Sequence, residues 1–96
     1  MFAIAFDLAL GTTAAKHPVS VRPAYRDIES TLGRYGFQRV QQSVFMVDND
    51  DLANLTAAMT SLRSLPWLPD CVSDIRAFRV EQWSDFTTFV KRGDNR

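Results

Sequence analysis

Phe2-Ala-Ile-Ala-Phe-Asp-Leu8 decides how the rest of the chain is read. Phe2, Ile4, Phe6 and Leu8 are bulky, and they alternate with Ala3, Ala5 and Asp7. A period of two predicts a strand with one large face for a core and one face of small or polar side chains. Downstream, Val21, Ala24, Tyr25, Ile28, Leu32 and Tyr35 recur at intervals of three and four, the apolar stripe of a helix. Ser20 is its candidate N-cap, Pro23 is tolerated in its first turn, and Gly36 is a stop. Between the two, Leu10 to Ser20 holds a Gly, two Thr and a His-Pro pair and is expected to be a loop.

Phe37–Val40 and Ser43–Val47 are β-rich on either side of Gln41-Gln42 and predict a hairpin. Asp48-Asn-Asp-Asp51 places acids at the positive end of a second helix. The expected apolar face of that helix is Leu52, Leu55, Met59, Leu62 and Leu65, with Pro66 ending it. Pro66–Pro69 is expected to be a connector and Val72–Glu81 a last strand. Ser84–Lys91 reads as a short helix or an edge strand. The order strand, helix, strand, strand, helix, strand predicts an α+β domain of ferredoxin-like βαββαβ type. Its antiparallel sheet has the order 4-1-3-2, two helices on one face and a short C-terminal element. One such domain accounts for residues 1–91, with 92–96 as a frayed tail. The other sheet face carries Ala3, Ala5 and Asp7 and stays open, so a homodimer is expected to cover it.

Composition removes several function classes. One Cys and one His, Cys71 and His17, rule out a Cys/His zinc site and an internal disulfide. Cys71 reads as a small buried hydrophobe, His17 as a solvated loop histidine, and Trp67 and Trp83 as packing residues. No apolar run reaches the roughly 18 residues of a membrane span, and an acid follows the first apolar stretch at Asp7, so a cytoplasmic, non-membrane protein is expected. Eleven bases against eleven acids argue against binding nucleic acid by bulk charge alone. Nine of the eleven bases are Arg, the residue suited to bidentate phosphate contacts, although Arg paired with the acids is equally consistent.

In the expected topology the end of strand one lies beside the starts of strands three and four. Asp7, Ser43 and Asp74 then converge at one end of the sheet. Two carboxylates and a hydroxyl there can hold a divalent cation such as Mg²⁺ through water, or one carboxylate can act as a base. They can equally pair with Arg39, Arg76 or Arg79 as plain structure.

The sequence resembles the virulence-associated protein D family from Met1 to Lys91. The resemblance is carried by Met1–Asp7, Tyr25-Arg-Asp-Ile28, Gly36–Phe45, Asp74-Ile-Arg-Ala-Phe-Arg-Val-Glu81 and Trp83-Ser-Asp-Phe-Thr87. More distantly, Asp7 and Val40–Phe45 are similar to CRISPR-associated ferredoxin-like nucleases and integration scaffolds. The resemblance implies a ferredoxin-like homodimer and an endoribonuclease, in some relatives the toxin of a toxin–antitoxin pair. It implies a divalent metal on Asp7 at the dimer interface and a site acid at Asp74. On this reading Asp7, Asp74 and Ser43 are catalytic, Arg39, Arg76 and Arg79 hold RNA phosphates, and an antitoxin protein is a further partner. The competing expectation is a non-catalytic dimer that binds nucleic acid or protein, with Asp7 structural.

Overall fold

A computed structural model describes residues 1–17 and 21–93. It contains β1 (Phe2–Leu8), α1 (Leu10–Lys16), α2 (Val21–Gly33), β2 (Gln38–Gln41), β3 (Val44–Val47), α3 (Leu52–Arg63), α4 (Leu68–Cys71), β4 (Val72–Arg79) and α5 (Thr87–Arg92). The sheet is antiparallel in the order β2-β3-β1-β4, the ferredoxin-like arrangement expected from the sequence. The bulky residues of β1 face the helices and are buried, and Ile4 has no exposed surface at all. Around them pack Ile28 and Leu32 of α2, Phe45 and Val47 of β3, and Leu55, Ala58 and Leu62 of α3. Each fully buried large apolar side chain in this layer contributes about 1.5–3 kcal/mol, which is why β1 anchors the fold.

Gly36 adopts φ +87°, a left-handed conformation that costs a residue with a Cβ, and it lets the chain turn from α2 into β2. Phe37 N–H returns to the Leu32 carbonyl at 3.2 Å and closes that turn. Asp51 caps α3 by accepting from the Asn54 N–H at 3.0 Å, as the acidic run predicts.

Several expectations are corrected. Leu10–Lys16 is helical rather than a loop, because packing overrides weak propensity. Thr13 is wholly buried there, its hydroxyl satisfied by donating to the Ala9 carbonyl at 2.9 Å. The face of α3 turns on Ala58 rather than Leu52, which is 64% exposed. The segment after Pro66 is not only a connector but forms the turn of α4, which buries Leu68 and Cys71. Finally, His17 is buried: its Nε2 lies 2.7 Å from an Asp27 carboxylate oxygen, and its ring meets Trp67 edge-on at 4.7 Å. Trp67 and Cys71 are core residues as expected, but Trp83 is half exposed. The short C-terminal element is the helix α5, which reaches Arg92. The Ser20 cap and residues 94–96 of the tail lie outside the described residues. No helix among the described residues is long and apolar enough to cross a membrane.

Candidate active site

The register of the sheet sorts the polar residues by face. Asp7 pairs directly with Asp74 across β1 and β4, so the two carboxylates project from the same side at the same level. That side is the one away from the helices, because Phe6, between Ala5 and Asp7, is in the core; along it Ala3 is buried, Ala5 half-buried and Asp7 exposed, so the face opens towards the Asp7 end. On the other flank of β1 the Phe6 N–H donates to the Ser43 carbonyl at 3.1 Å, which fixes Ser43 beside the same strand end. Asp7, Ser43 and Asp74 are thus brought to one end of the sheet, but only Asp7 and Asp74 share a face: Ser43, in the turn before β3, stands level with the core residue Phe6 and so on the helix side.

A bulge sharpens this corner. The register shifts between Asp7 and Leu8, where Leu8 pairs with Val72 and Ser73 is the extra residue. The Ser73 hydroxyl donates to the Asp7 carbonyl at 3.1 Å and stitches the bulge to β1. Nothing in the sequence marks Ser73 beyond its being a small polar residue at a strand start.

The two carboxylates differ in their partners. Arg76, two residues along the same face, donates its Nε to both oxygens of Asp74 at 3.2 Å. Among the described residues no hydrogen bond or ion pair engages the Asp7 carboxylate. Asp7 is exposed and faces a second acid across the sheet, an arrangement that repels rather than stabilises.

The three arginines fall in different places. Arg76 is on the open face beside Asp74. Arg79 is on the opposite face, its guanidinium 5.3 Å from the centre of the Phe2 ring. Arg39 also faces the helix side, because it pairs with the buried Phe45, and its Nε lies 3.9 Å from Glu29. Only Arg76 of the three therefore shares a face with Asp7.

No group of three His, Cys, Asp or Glu side chains among the described residues is placed to hold a metal ion. Asp7 and Asp74 supply two hard oxygen donors on one face. That suits an ion such as Mg²⁺, which keeps several waters and completes its shell with phosphate oxygens. The donor chemistry fits, with Asp7 as the carboxylate left unengaged.

Further along the open face a depression is lined by Ala3, Val44, Met46, Phe78, Trp83 and Asp85. Phe78, Trp83, Phe86 and Phe89 are all about half exposed or more. Asp85 meets the first turn of α5, where the hydroxyl and the N–H of Thr87 hold its carboxyl below the usual carboxylate value.

A four-stranded antiparallel sheet with a polar corner at the end of β1 defines an α+β protein of the ferredoxin-like class. The chain matches the family described as CRISPR associated protein Cas2 over residues 1–88. It is 53% identical to the endoribonuclease VapD homolog of Neisseria gonorrhoeae over 91 residues, covering 95% of this chain and 99% of that protein. Against the endoribonuclease VapD of Haemophilus influenzae the identity is 50%, again over 95% of this chain and 99% of the relative. The endoribonuclease VapD of Helicobacter pylori is 37% identical over 93 residues, 95% of this chain and 99% of that protein. The chain belongs to the VapD family, within the broader Cas2 family.

Proposed function

We propose that this chain is an endoribonuclease that cuts RNA phosphodiesters at the Asp7 end of the open sheet face, at the interface of a homodimer. Membership of a family whose relatives are named endoribonucleases makes it an RNA-cleaving hydrolase. The observation that carries the position of the site is the Asp7 carboxylate, which is exposed and without a structural partner among the described residues. A structural acid would have an Arg or an N–H to hold; Asp74 has Arg76, and among the described residues Asp7 has neither.

The roles follow from this difference. Asp7 is the group available to accept a proton from the attacking hydroxyl or to hold a cation. A divalent ion such as Mg²⁺ on Asp7 would supply an activated water and charge stabilisation for the phosphodiester. Asp74 keeps Arg76 aimed along the open face, where its guanidinium can meet a phosphate oxygen. Ser43 stands level with Phe6, on the helix side of the sheet, so its hydroxyl meets a phosphate or a bound water only where the strand passes the end of the sheet. Arg39 and Arg79, on the helix side, act on RNA only where the strand wraps past the sheet edge.

A second copy of the chain gives the exposed Phe78, Trp83, Phe86 and Phe89 a place to be buried, and brings a second Asp7 to the shared face. We extend the reading to a cytoplasmic toxin restrained by an antitoxin protein, the role that the family resemblance implies for some relatives. The test is incubation of purified protein with single-stranded RNA with and without EDTA. Cleavage abolished by EDTA supports the metal on Asp7, cleavage that persists supports proton transfer by the carboxylate alone, and no cleavage overturns the assignment.

A further inference from the structure

On the helix side, α2 and β2 enclose a groove of about 540 Å³ lined by Val21, Arg22, Tyr25, Arg26, Glu29, Arg39 and Gln42. Three guanidinium groups converge on it. Arg22 and Arg26 are one helical turn apart and so lie on the same face of α2. Neither has an acidic partner among the described residues. Arg39 reaches in from β2, and Glu29 is the single acid among the described residues of the lining, at the outer limit of an ion pair with Arg39. In a chain with no net charge, a surface with three bases and one acid is a local concentration of positive charge. The first turn of α2 adds the positive end of its dipole to the same place. Tyr25 forms part of the wall, its ring packed 6.0 Å from Phe6 in the core.

The groove also leads to the corner described above. Its lining ends at Gln42, in the β2–β3 turn, and the next residue is Ser43, whose carbonyl is bound by the strand that carries Asp7. We infer that the α2–β2 groove holds the phosphodiester backbone of single-stranded RNA, with Arg22, Arg26 and Arg39 on successive phosphates, and delivers the strand past the Gln42–Ser43 turn to Asp7. The inference rests on the RNA-cleaving reading and extends it to the path of the substrate. It also gives Arg39 a place in binding that the open-face site does not. Planar guanidinium groups bind phosphate oxygens in pairs, which is the chemistry this cluster offers.

The test is binding rather than cleavage, so that it stands apart from the assignment of Asp7. A fluorescein-labelled single-stranded RNA is titrated with the wild-type protein and with Arg22→Ala/Arg26→Ala, in EDTA, at several salt concentrations. Each phosphate contact on a single strand contributes about 0.7 to the slope of log affinity against log salt, so loss of two lowers the slope by about 1.4. Between 50 and 200 mM salt the variant's affinity then falls about sevenfold less than that of the wild type. Arg22→Lys/Arg26→Lys keeps the charges and is expected to keep the slope, which separates phosphate binding from damage to the fold. An unchanged slope in the alanine variant overturns the inference. So does a slope lost equally in both variants, and so does a groove that binds an acidic protein while RNA affinity is unaffected. Tight, slope-dependent binding in a protein that cuts no RNA would sustain the groove while sinking the proposed activity.

Discussion

Replacing His17 with alanine tests the interior of this fold at the point where a polar residue is buried in it. The ring is enclosed, with its side chain 3% exposed, and it touches Asp27 through Nε2 and Trp67 through an edge contact. A hydrogen bond to an ionised group contributes about 1.5–3 kcal/mol, and an edge-on aromatic pair about 0.5–1.5 kcal/mol. Removing both costs about 2–4 kcal/mol before any cavity term. In a domain of this size each kcal/mol moves the thermal midpoint by about 4–8 °C, so a fall of roughly 10–30 °C is expected. Asp27→Asn keeps the ring and its packing and should lose about half as much or less. Scanning calorimetry gives the midpoints, and RNA cleavage measured well below them gives the activity. A midpoint within 2 °C of wild type would refute the argument from packing. Loss of cleavage in a folded His17→Ala protein would bring the histidine into the chemistry.

Asp7→Asn removes one member of a like-charged cross-strand pair, so its thermal midpoint should stay level or rise by about 1–4 °C; a fall of many degrees in calorimetry would make Asp7 a structural group. Ala5→Glu puts a charge in the middle of the open face and is expected to give a particle of one chain mass where the wild type gives two, by light scattering; equal masses would contradict the dimer. The carboxyls of Asp50 and Asp85 are both held below the ordinary 3.8, by the N-terminal ammonium of Met1 and by Thr87 respectively. Their contacts therefore stabilise the fold above that pH and are lost as the pH falls through their lowered values, so Asp50→Asn/Asp85→Asn should flatten the acid limb of midpoint against pH. Parallel curves for wild type and variant would remove these two contacts from acid unfolding.

The parts of the fold that follow from periodicity were legible in the sequence. Alternation in Phe2–Leu8 and the three-four spacing from Val21 to Tyr35 fix the side each residue faces, and the succession of strands and helices they mark out gives the sheet order. The end of β1 was legible in part: topology brings Asp7 and Asp74 to one end of the sheet, but their direct pairing depends on the register around the Ser73 bulge, which the sequence does not mark. Leu10–Lys16 was not legible, since Gly and Thr are weak helix formers and the burial of Thr13 that favours the helix is visible only in the fold. His17 was hidden for a related reason. Its partners Asp27 and Trp67 are ten and fifty positions away, and no local pattern joins them. Arg22 and Arg26 carried a signal, a spacing of four on a helix, but only the fold shows that Arg39 comes to meet them. The separation of Arg39 and Arg79 from the open face is a consequence of alternation on β2 and β4, where one residue decides the side.

The measurement closest to the central claim is the rate at which purified Asp7→Asn protein cleaves single-stranded RNA, set beside wild type prepared in the same way. Loss of the carboxylate that no partner engages among the described residues should lower the rate by about 10²–10⁴-fold with the fold intact. Cleavage by Asp7→Asn at the wild-type rate would contradict the account and move the chemistry away from the end of β1.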